Sequence, residues 1–129
     1  MRKNGAQTLA IDGEEGVLPV SSTTVYSDRF LLADVIKLGL DLTASGSTID
    51  TLVTLVVSDD DDAAASDYVI QDGYSDIVNL INTTRSRKTV FDTAIPAAKF
   101  GRIRFTGQGA NAANVAVTGI INLIRDIGN

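Results

Sequence analysis

The chain has 129 residues, the size of one ordinary domain, and its 16 acidic and 11 basic residues give a formal charge of −5. Apolar residues make up 44% of the chain, which is enough to build a hydrophobic core. Histidine, cysteine and tryptophan are absent, which excludes imidazole bases, thiolate nucleophiles, disulfides and His- or Cys-ligated metal sites. The negative charge also argues against a nucleic-acid-binding domain.

The first twenty residues differ from the rest of the chain. They contain the turn-forming residues Gly5, Gly13 and Gly16 and only one short apolar run. Such a segment has too few apolar side chains to fold alone. We therefore predict an extended N-terminal arm over residues 1–20 that lies on a neighbouring subunit, followed by a single domain over residues 21–129.

Strands are predicted to dominate, because valine, isoleucine and threonine account for 37 of the 129 residues. The clearest strand covers residues 34–43, where apolar and polar side chains alternate with a period of two. A second strand, over 51–58, follows a turn at 45–47, and the two are predicted to form a hairpin. Residues 76–82 suit either a short helix or a short strand. Weaker strands are predicted at 7–11, 22–26, 30–32, 68–71 and 89–92.

Two long strands are predicted in the C-terminal third. Residues 100–106 and 115–124 each alternate apolar with other side chains, and Gly107, Gly109 and Asn111 supply the turn between them.

Short antiparallel strands at regular spacing, with polar turns and little helix, indicate an all-β fold: an antiparallel β-sandwich that resembles a jelly roll. The inward positions of the clearest strands predict its core. These are Ile36, Leu38, Leu40, Leu42, Val53, Leu55, Val57, Ile103, Phe105, Val115, Val117, Ile121 and Leu123.

Four consecutive aspartates, Asp59, Asp60, Asp61 and Asp62, precede a run of alanines. Carboxylates on a loop could bind calcium, but this spacing differs from that of an EF-hand. The simpler interpretation is a solvated loop that discourages pairing at a strand end.

Enzyme chemistry has little support in the sequence. Asp72 and Asp76 could form a glycosidase carboxylate pair, but Asp72 precedes Gly73 and suits a turn, and aromatic platforms for sugars are few. A serine with a lysine base is formally available, yet no motif surrounds any serine. We expect no catalytic residue, metal ion or cofactor.

Charge is distributed unevenly along the chain. Residues 34–76 carry a net charge of −9, and residues 85–104 carry +5. The two segments could neutralise each other within one sandwich, or form complementary patches between copies. The candidate assembly contacts are Arg85, Arg87, Lys88, Arg102, Arg104, Asp59, Asp60, Asp61 and Asp62.

The stretch AAKFGRIRFTG at 97–107, followed by a Gly/Asn/Ala turn and the strand at 115–124, resembles the closing strands of small β-sandwich proteins of tailed-phage virions. These families include head decoration and other accessory structural proteins. The pattern covers residues 30–125 and is shared with carbohydrate-binding sandwiches. The resemblance implies a structural role in many copies, without enzymatic activity.

Three functions follow from these observations. The first is a virion structural protein, a capsid decoration or cement protein that binds copies of itself and other virion proteins. The second is a carbohydrate-binding or host-attachment module, with calcium held by the aspartate loop. The third is a hydrolase. No apolar run could cross a membrane or serve as a secretory signal, so we expect synthesis in the host cytoplasm, location in the virion, and neither membrane nor nucleic acid as a direct partner.

Overall fold

The computed structural model describes residues 2–8, 10–11, 14–15, 24–45, 50–81, 84–91, 97–107 and 116–126. Twelve strands and one 3₁₀ helix, at Ala65–Asp67, lie within these ranges. The strands are β1 (Arg2–Thr8), β2 (Ala10–Ile11), β3 (Glu14–Glu15), β4 (Thr24–Tyr26), β5 (Phe30–Leu31), β6 (Val35–Ser45), β7 (Asp50–Ser58), β8 (Val69–Ile70), β9 (Val78–Ile81), β10 (Thr84–Phe91), β11 (Phe100–Gly107) and β12 (Ala116–Asp126).

The strands form two antiparallel sheets that share a core, and β2 pairs separately with β3. The first sheet has the order β1-β12-β6-β10. In the second sheet β11 and β7 lie at the centre. Strands β4 and β5 pair with different parts of β11 and together form one edge of the second sheet. Strands β8 and β9 pair with different parts of β7 and form the other edge. Counting each broken edge as one row, the second sheet has four rows, as the first has four strands.

The order in which the chain visits these rows defines the fold. After β5 the chain crosses to the first sheet for β6 and returns to the second sheet for β7, β8 and β9. It then crosses to the first sheet for β10, to the second for β11, and back to the first for β12. The first and last long strands, β1 and β12, are neighbours. Two four-row antiparallel sheets connected in this way form a jelly roll, which confirms the predicted all-β sandwich.

The core lies between the inner faces of the two sheets. Of the predicted core residues, eleven are buried: Leu38, Leu40, Leu42, Val53, Leu55, Val57, Ile103, Phe105, Val117, Ile121 and Leu123. Val115 lies outside the described residues. Phe30 and Phe91 complete the core, and Gly101 leaves room for the Phe30 ring, since a Cβ atom at Gly101 would come within 2.7 Å of it.

The prediction was wrong for Ile36, which is only half-buried while its neighbour Val35 is fully buried. The cause is a β-bulge: Lys37 pairs with Ile124, whereas Val35 pairs with Arg125, so Ile36 is an extra residue in the ladder. An inserted residue reverses the inward and outward alternation beyond it.

The predicted hairpin of 34–43 with 51–58 was also wrong. Both segments are strands, as β6 and β7, but they belong to different sheets and do not pair with each other. A polar turn signal is the same whether a chain reverses within one sheet or crosses to the other. Each strand instead pairs on both sides with strands distant in sequence.

The N-terminal arm needs a correction for residues 2–8. They form β1, which pairs with β12 from Arg2 opposite Asp126 to Thr8 opposite Ile120, and so belong to the first sheet of their own chain. The strand tolerates glycine and polar residues because it is an edge strand, with one side free of sheet neighbours among the described residues. Most of residues 9–20 lie outside the described residues.

Residues 76–82, for which the sequence allowed helix or strand, contain the strand β9. The weaker strands at 22–26, 30–32, 68–71 and 89–92 are also present within the described residues, in shorter or shifted form, as β4, β5, β8 and the end of β10.

Candidate functional site

The aspartate loop lies beside the outer face of the second sheet. The residues that follow it pack on that face, where Val56, Tyr68 and Phe100 form a second apolar cluster joined by Tyr26 and Ala63. Val56 is fully buried although it lies on the outer side of β7. This covering explains why both faces of β7 are apolar.

Three of the four aspartates bind groups of their own chain. Asp59 Oδ1 accepts a hydrogen bond from the Lys99 backbone N–H at 3.1 Å, and Asp60 Oδ1 accepts one from the Asp62 N–H at 2.9 Å. Asp61 forms an ion pair with Arg29, whose guanidinium also lies 4.8 Å from the centre of the Phe100 ring. These contacts hold the loop against the sheet. Among the described residues, no group of three or more His, Cys, Asp or Glu side chains could hold a metal ion.

Arg102 and Arg104 lie on the outer face of β11, two residues apart, as the alternation predicted. Their surroundings differ. Arg102 donates a hydrogen bond to the Ser27 carbonyl at 3.0 Å and lies 4.9 Å above the Tyr68 ring. Arg104 forms no hydrogen bond or ion pair with another described residue, and the Nε atoms of both arginines are buried without a hydrogen-bond partner among those residues. The fold therefore uses Arg102, whereas Arg104 has no hydrogen-bond or ion-pair partner among the described residues.

Ser27 connects the interrupted edge of the second sheet to β11. It lies between β4 and β5, where its N–H donates to the Ile103 carbonyl at 2.8 Å and its Oγ accepts from the Ile103 N–H at 2.9 Å. The hydroxyl takes the place of a backbone carbonyl where the edge strand is broken. No sequence pattern marked this fully buried serine, because a serine near strand ends usually indicates only a turn.

Arg85 and Arg87 converge on Asp41 at the centre of the outer face of the first sheet. Arg85 donates to the Asp41 carboxylate at 3.3 and 3.5 Å, and Arg87 Nε lies 3.7 Å from it. The hydrogen bond and the charge of Asp41 raise the pKa of Arg85 above its usual value. The Asp41 side chain is 13% exposed, whereas those of Arg85 and Arg87 are 70% and 80% exposed.

This arrangement defines the Arg85/Arg87 patch: two exposed guanidinium groups that share one recessed carboxylate. Shallow depressions of about 240 and 350 Å³ flank Asp41, the first beside Gly39 and the second beside Thr43. Because one carboxylate faces two guanidinium groups, the patch keeps a net positive charge and free N–H donors. The sequence had placed Asp41 on the wet face of its strand but gave no sign that it anchors both arginines.

Lys88 is separated from this patch, although it follows Arg87 directly. Lys88 pairs with Leu40, whose side chain faces the core, so Lys88 occupies an inward position on the edge strand β10. Its side chain is nevertheless exposed. The candidate contacts therefore divide into three places: the Arg85/Arg87 patch, Lys88 at a sheet edge, and Arg102 and Arg104 with the aspartate loop near the second sheet.

Within the described residues there is no helix long and apolar enough to span a membrane. The site is thus a set of charged surfaces on a jelly-roll sandwich.

No protein-family model and no curated sequence matches the chain. Its fold is similar to that of a chain in the structure of infectious bursal disease virus strain Gx, with a TM-score of 0.55 and 14% identity over 98% of this chain and 33% of the viral one. A chain in the structure of the Gt strain gives a TM-score of 0.52 and 12% identity, over 98% of this chain and 33% of the viral chain. The SPBc2 prophage-derived protein YomS gives a TM-score of 0.45 and 14% identity, over 96% of this chain and 95% of YomS.

This chain spans about a third of the length of the infectious bursal disease virus chains that it matches. At 12–14% identity the likeness concerns the fold alone.

Proposed function

We propose that this protein is a non-enzymatic structural component of a virion, which assembles in several copies and with other virion proteins. The observation that carries the proposal is the jelly-roll strand order, an architecture that viral shell proteins use. The similarity in fold to a chain of infectious bursal disease virus, over nearly the whole of this chain, supports it. Location in the virion, after synthesis in the host cytoplasm, follows from the proposal.

The finer proposal is a capsid decoration or cement protein. Such a protein must present binding groups on a rigid scaffold. The Arg85/Arg87 patch does so, because β6 and β10 fix its backbone through a ladder from Thr84 to Phe91. Its guanidinium groups suit carboxylates of a partner protein, since arginine binds carboxylates through two parallel hydrogen bonds.

The proposal is tested by following the chain through particle purification. Particles from a culture that produces this protein are separated on a density gradient, and the chain is quantified against the major shell protein by mass spectrometry. We expect a fixed ratio of several copies per particle that survives repeated banding. A chain found only in the soluble fraction, as a monomer without a larger partner, would overturn the virion role.

The decoration role has its own test. A decoration protein can be removed and restored without dismantling the shell, so stripped particles should stay intact and rebind added protein. The double variant Arg85→Gln/Arg87→Gln should rebind less than the parent chain, and the difference should shrink as salt increases, because exposed charges are screened. Lys99→Gln, which removes an exposed charge beside the second sheet and away from the patch, is the control. Equal rebinding by all three chains would exclude the patch as the contact.

Carbohydrate binding remains the second candidate, because lectins also use jelly rolls. The bare outer face of the first sheet carries Thr43, Thr118 and Asn122, which could form hydrogen bonds with sugars. No aromatic ring lies on that face among the described residues, although aromatic platforms are the usual sugar contacts. A glycan array that stays blank with and without calcium would dismiss this candidate.

A further inference from the structure

The acidic and basic segments of the sequence meet at one place in the folded chain and are separated at another. Asp41, from the acidic segment, lies beside the Arg85/Arg87 patch on the outer face of the first sheet. The aspartate loop, residues 59–62, leads into Ala63, which packs against the outer face of the second sheet. Stacked sheets lie about 10 Å apart. The loop and the patch are therefore on opposite sides of the sandwich and do not neutralise each other within one chain.

The outer face of β6 and β10 has an excess of positive charge. Lys37, Arg85 and Arg87 are exposed on that face, and Asp41 is its one carboxylate among the described residues of the two strands. Arg87 Nε lies 3.7 Å from Asp41, but its side chain is 80% exposed. A guanidinium group carries five N–H donors, so Arg87 keeps donors for a further carboxylate.

This face is recessed beside Arg87, where Gly39 has no side chain. The depression of about 240 Å³ is lined by Gly39, Arg87, Thr89 and Asn122, among others. The fold does not require a glycine at this position, because an added Cβ atom would lie 3.8 Å from the Asn122 Cβ and from the Lys88 carbonyl oxygen. These are ordinary contacts. The recess is therefore open to a group from outside the chain.

The aspartate loop is a tight, exposed turn. The Ala63 N–H donates to the Asp60 carbonyl at 3.2 Å, and the Asp62 N–H donates to Asp60 Oδ1 at 2.9 Å. All four aspartates are exposed. Arg29 neutralises Asp61, whereas Asp60 and Asp62 have no ion-pair partner among the described residues. The loop thus presents uncompensated carboxylates on a hydrogen-bonded backbone.

We propose that the aspartate loop of one copy of this chain binds the Arg85/Arg87 patch of a second copy, with the turn seated in the recess at Gly39. Charge and shape both select this occupant, because an exposed acidic turn meets a recessed basic face. Every copy carries both surfaces in equal number. Since they differ and lie on opposite sides of the sandwich, the contact is heterologous, and copies add head to tail into a ring or an open array.

The inference rests on the proposed assembly in several copies and names the two surfaces through which copies meet. Exposed ion pairs contribute little individually, so the contact is weak between free molecules and gains strength where many copies are held side by side. It is measured on the isolated protein, whereas the virion role is measured on particles, so either proposal can fail without the other.

Neutralising either surface should weaken self-association in sedimentation equilibrium. Arg87→Gln leaves Arg85 to pair with Asp41, and Asp60→Asn/Asp62→Asn keeps an oxygen that can accept the hydrogen bond within the turn. We expect each variant to associate about fivefold more weakly than the parent chain. The comparison uses about 0.1 M salt, where the Debye length of about 10 Å leaves mainly neighbouring charges to act, and the difference should vanish at about 1 M.

Two matched controls remove the same charges elsewhere. Lys88→Gln changes the residue next to Arg87 at an inward position of β10, and Asp72→Asn changes an exposed carboxylate in the turn between β8 and β9. Both should associate as the parent chain does. Gly39→Thr keeps every charge but fills the recess, so it should weaken association without lowering the melting temperature.

Mixing the two charge variants tests whether the occupant is a second copy. Arg87→Gln keeps an intact loop, and Asp60→Asn/Asp62→Asn keeps an intact patch. An equimolar mixture should therefore form a heterodimer through one native contact, beyond what either variant forms alone. Native mass spectrometry with one variant isotope-labelled identifies it, and circular dichroism confirms that each chain is folded.

The inference is overturned if the parent chain stays monomeric at all concentrations at about 0.1 M salt. It is also overturned if either folded charge variant associates as strongly as the parent, or if the mixture gives no excess of heterodimer. Parent-like association of Gly39→Thr would overturn the seating in the recess. If Arg87→Gln loses binding to stripped particles but keeps full self-association, the patch binds another virion protein and the inference fails.

Discussion

The outer faces of the two sheets carry similar kinds of side chain but differ in what covers them. On the first sheet, Thr43 and Thr118 are paired across strands and both are exposed. On the second sheet, Thr54 and Val56 occupy equivalent outer positions and are fully buried. Residues 59–68 cover Val56, and the Thr54 hydroxyl donates to the Ser75 carbonyl at 2.8 Å.

This difference determines what the charged residues on each face can do. On the covered face, Arg29 and Arg102 form contacts that hold loops against the sheet. On the bare face, Arg85 and Arg87 are anchored at Asp41 but remain mostly exposed. The covered face thus contributes mainly to stability, whereas no described residue covers the two arginines of the first sheet.

The largest expected effect is the difference in stability between a substitution on an inner face of a sheet and one on an outer face. Leu40 is 2% exposed in the shared core, whereas Leu31 on β5 is 52% exposed. Leu40→Ala should lower the free energy of unfolding by about 2–5 kcal/mol, through lost burial and the cavity left behind. Leu31→Ala should change it by about 0.5 kcal/mol or less. Equal losses in urea unfolding would show that the inner and outer faces have been misassigned.

A smaller effect separates the two outer faces. Val56→Thr keeps the shape of the side chain but buries a hydroxyl group under the 59–68 segment, which should cost about 1–3 kcal/mol if the hydroxyl finds no partner. Thr43→Val makes the reverse change on the bare face and should stay within about 0.5 kcal/mol of the parent. Thermal melting of both variants measures the contrast. Equal stability of Val56→Thr and the parent would contradict an apolar cover over Val56.

The smallest expected effect is the difference in stability between substitutions of the two arginines of β11. Arg102→Met removes the hydrogen bond to Ser27 and the contact with Tyr68, and because Arg102 is only half-buried we expect a loss of about 1 kcal/mol. Arg104→Met removes no hydrogen bond or ion pair among the described residues and should be within about 0.5 kcal/mol of the parent. Chemical denaturation in parallel tests this order. A larger loss for Arg104→Met than for Arg102→Met would contradict it.

Much of the fold was predictable because strand periodicity is local. The alternation in β6, β7, β11 and β12 identified eleven buried core positions before any pairing was known. The shared outward face of Arg102 and Arg104 followed from the same period of two, and the run of four aspartates predicted the exposed loop. The positions of Arg85 and Arg87 did not follow, because the sequence predicted a strand only from residue 89.

What only the tertiary structure decided depends on contacts between residues far apart in sequence. It assigned β6 and β7 to different sheets, introduced the bulge at Ile36, and placed residues 2–8 in the first sheet. It also brought Arg85 and Arg87 to Asp41, more than forty residues earlier, and Arg102 to Ser27. A period of two shows which residues share a face of a strand. Which strand lies beside it, and which segment covers its outer face, is set by packing between residues far apart in sequence. The sequence alone therefore predicts a sandwich core, and the three-dimensional arrangement decides which charged side chains bind groups of their own chain and which stay exposed.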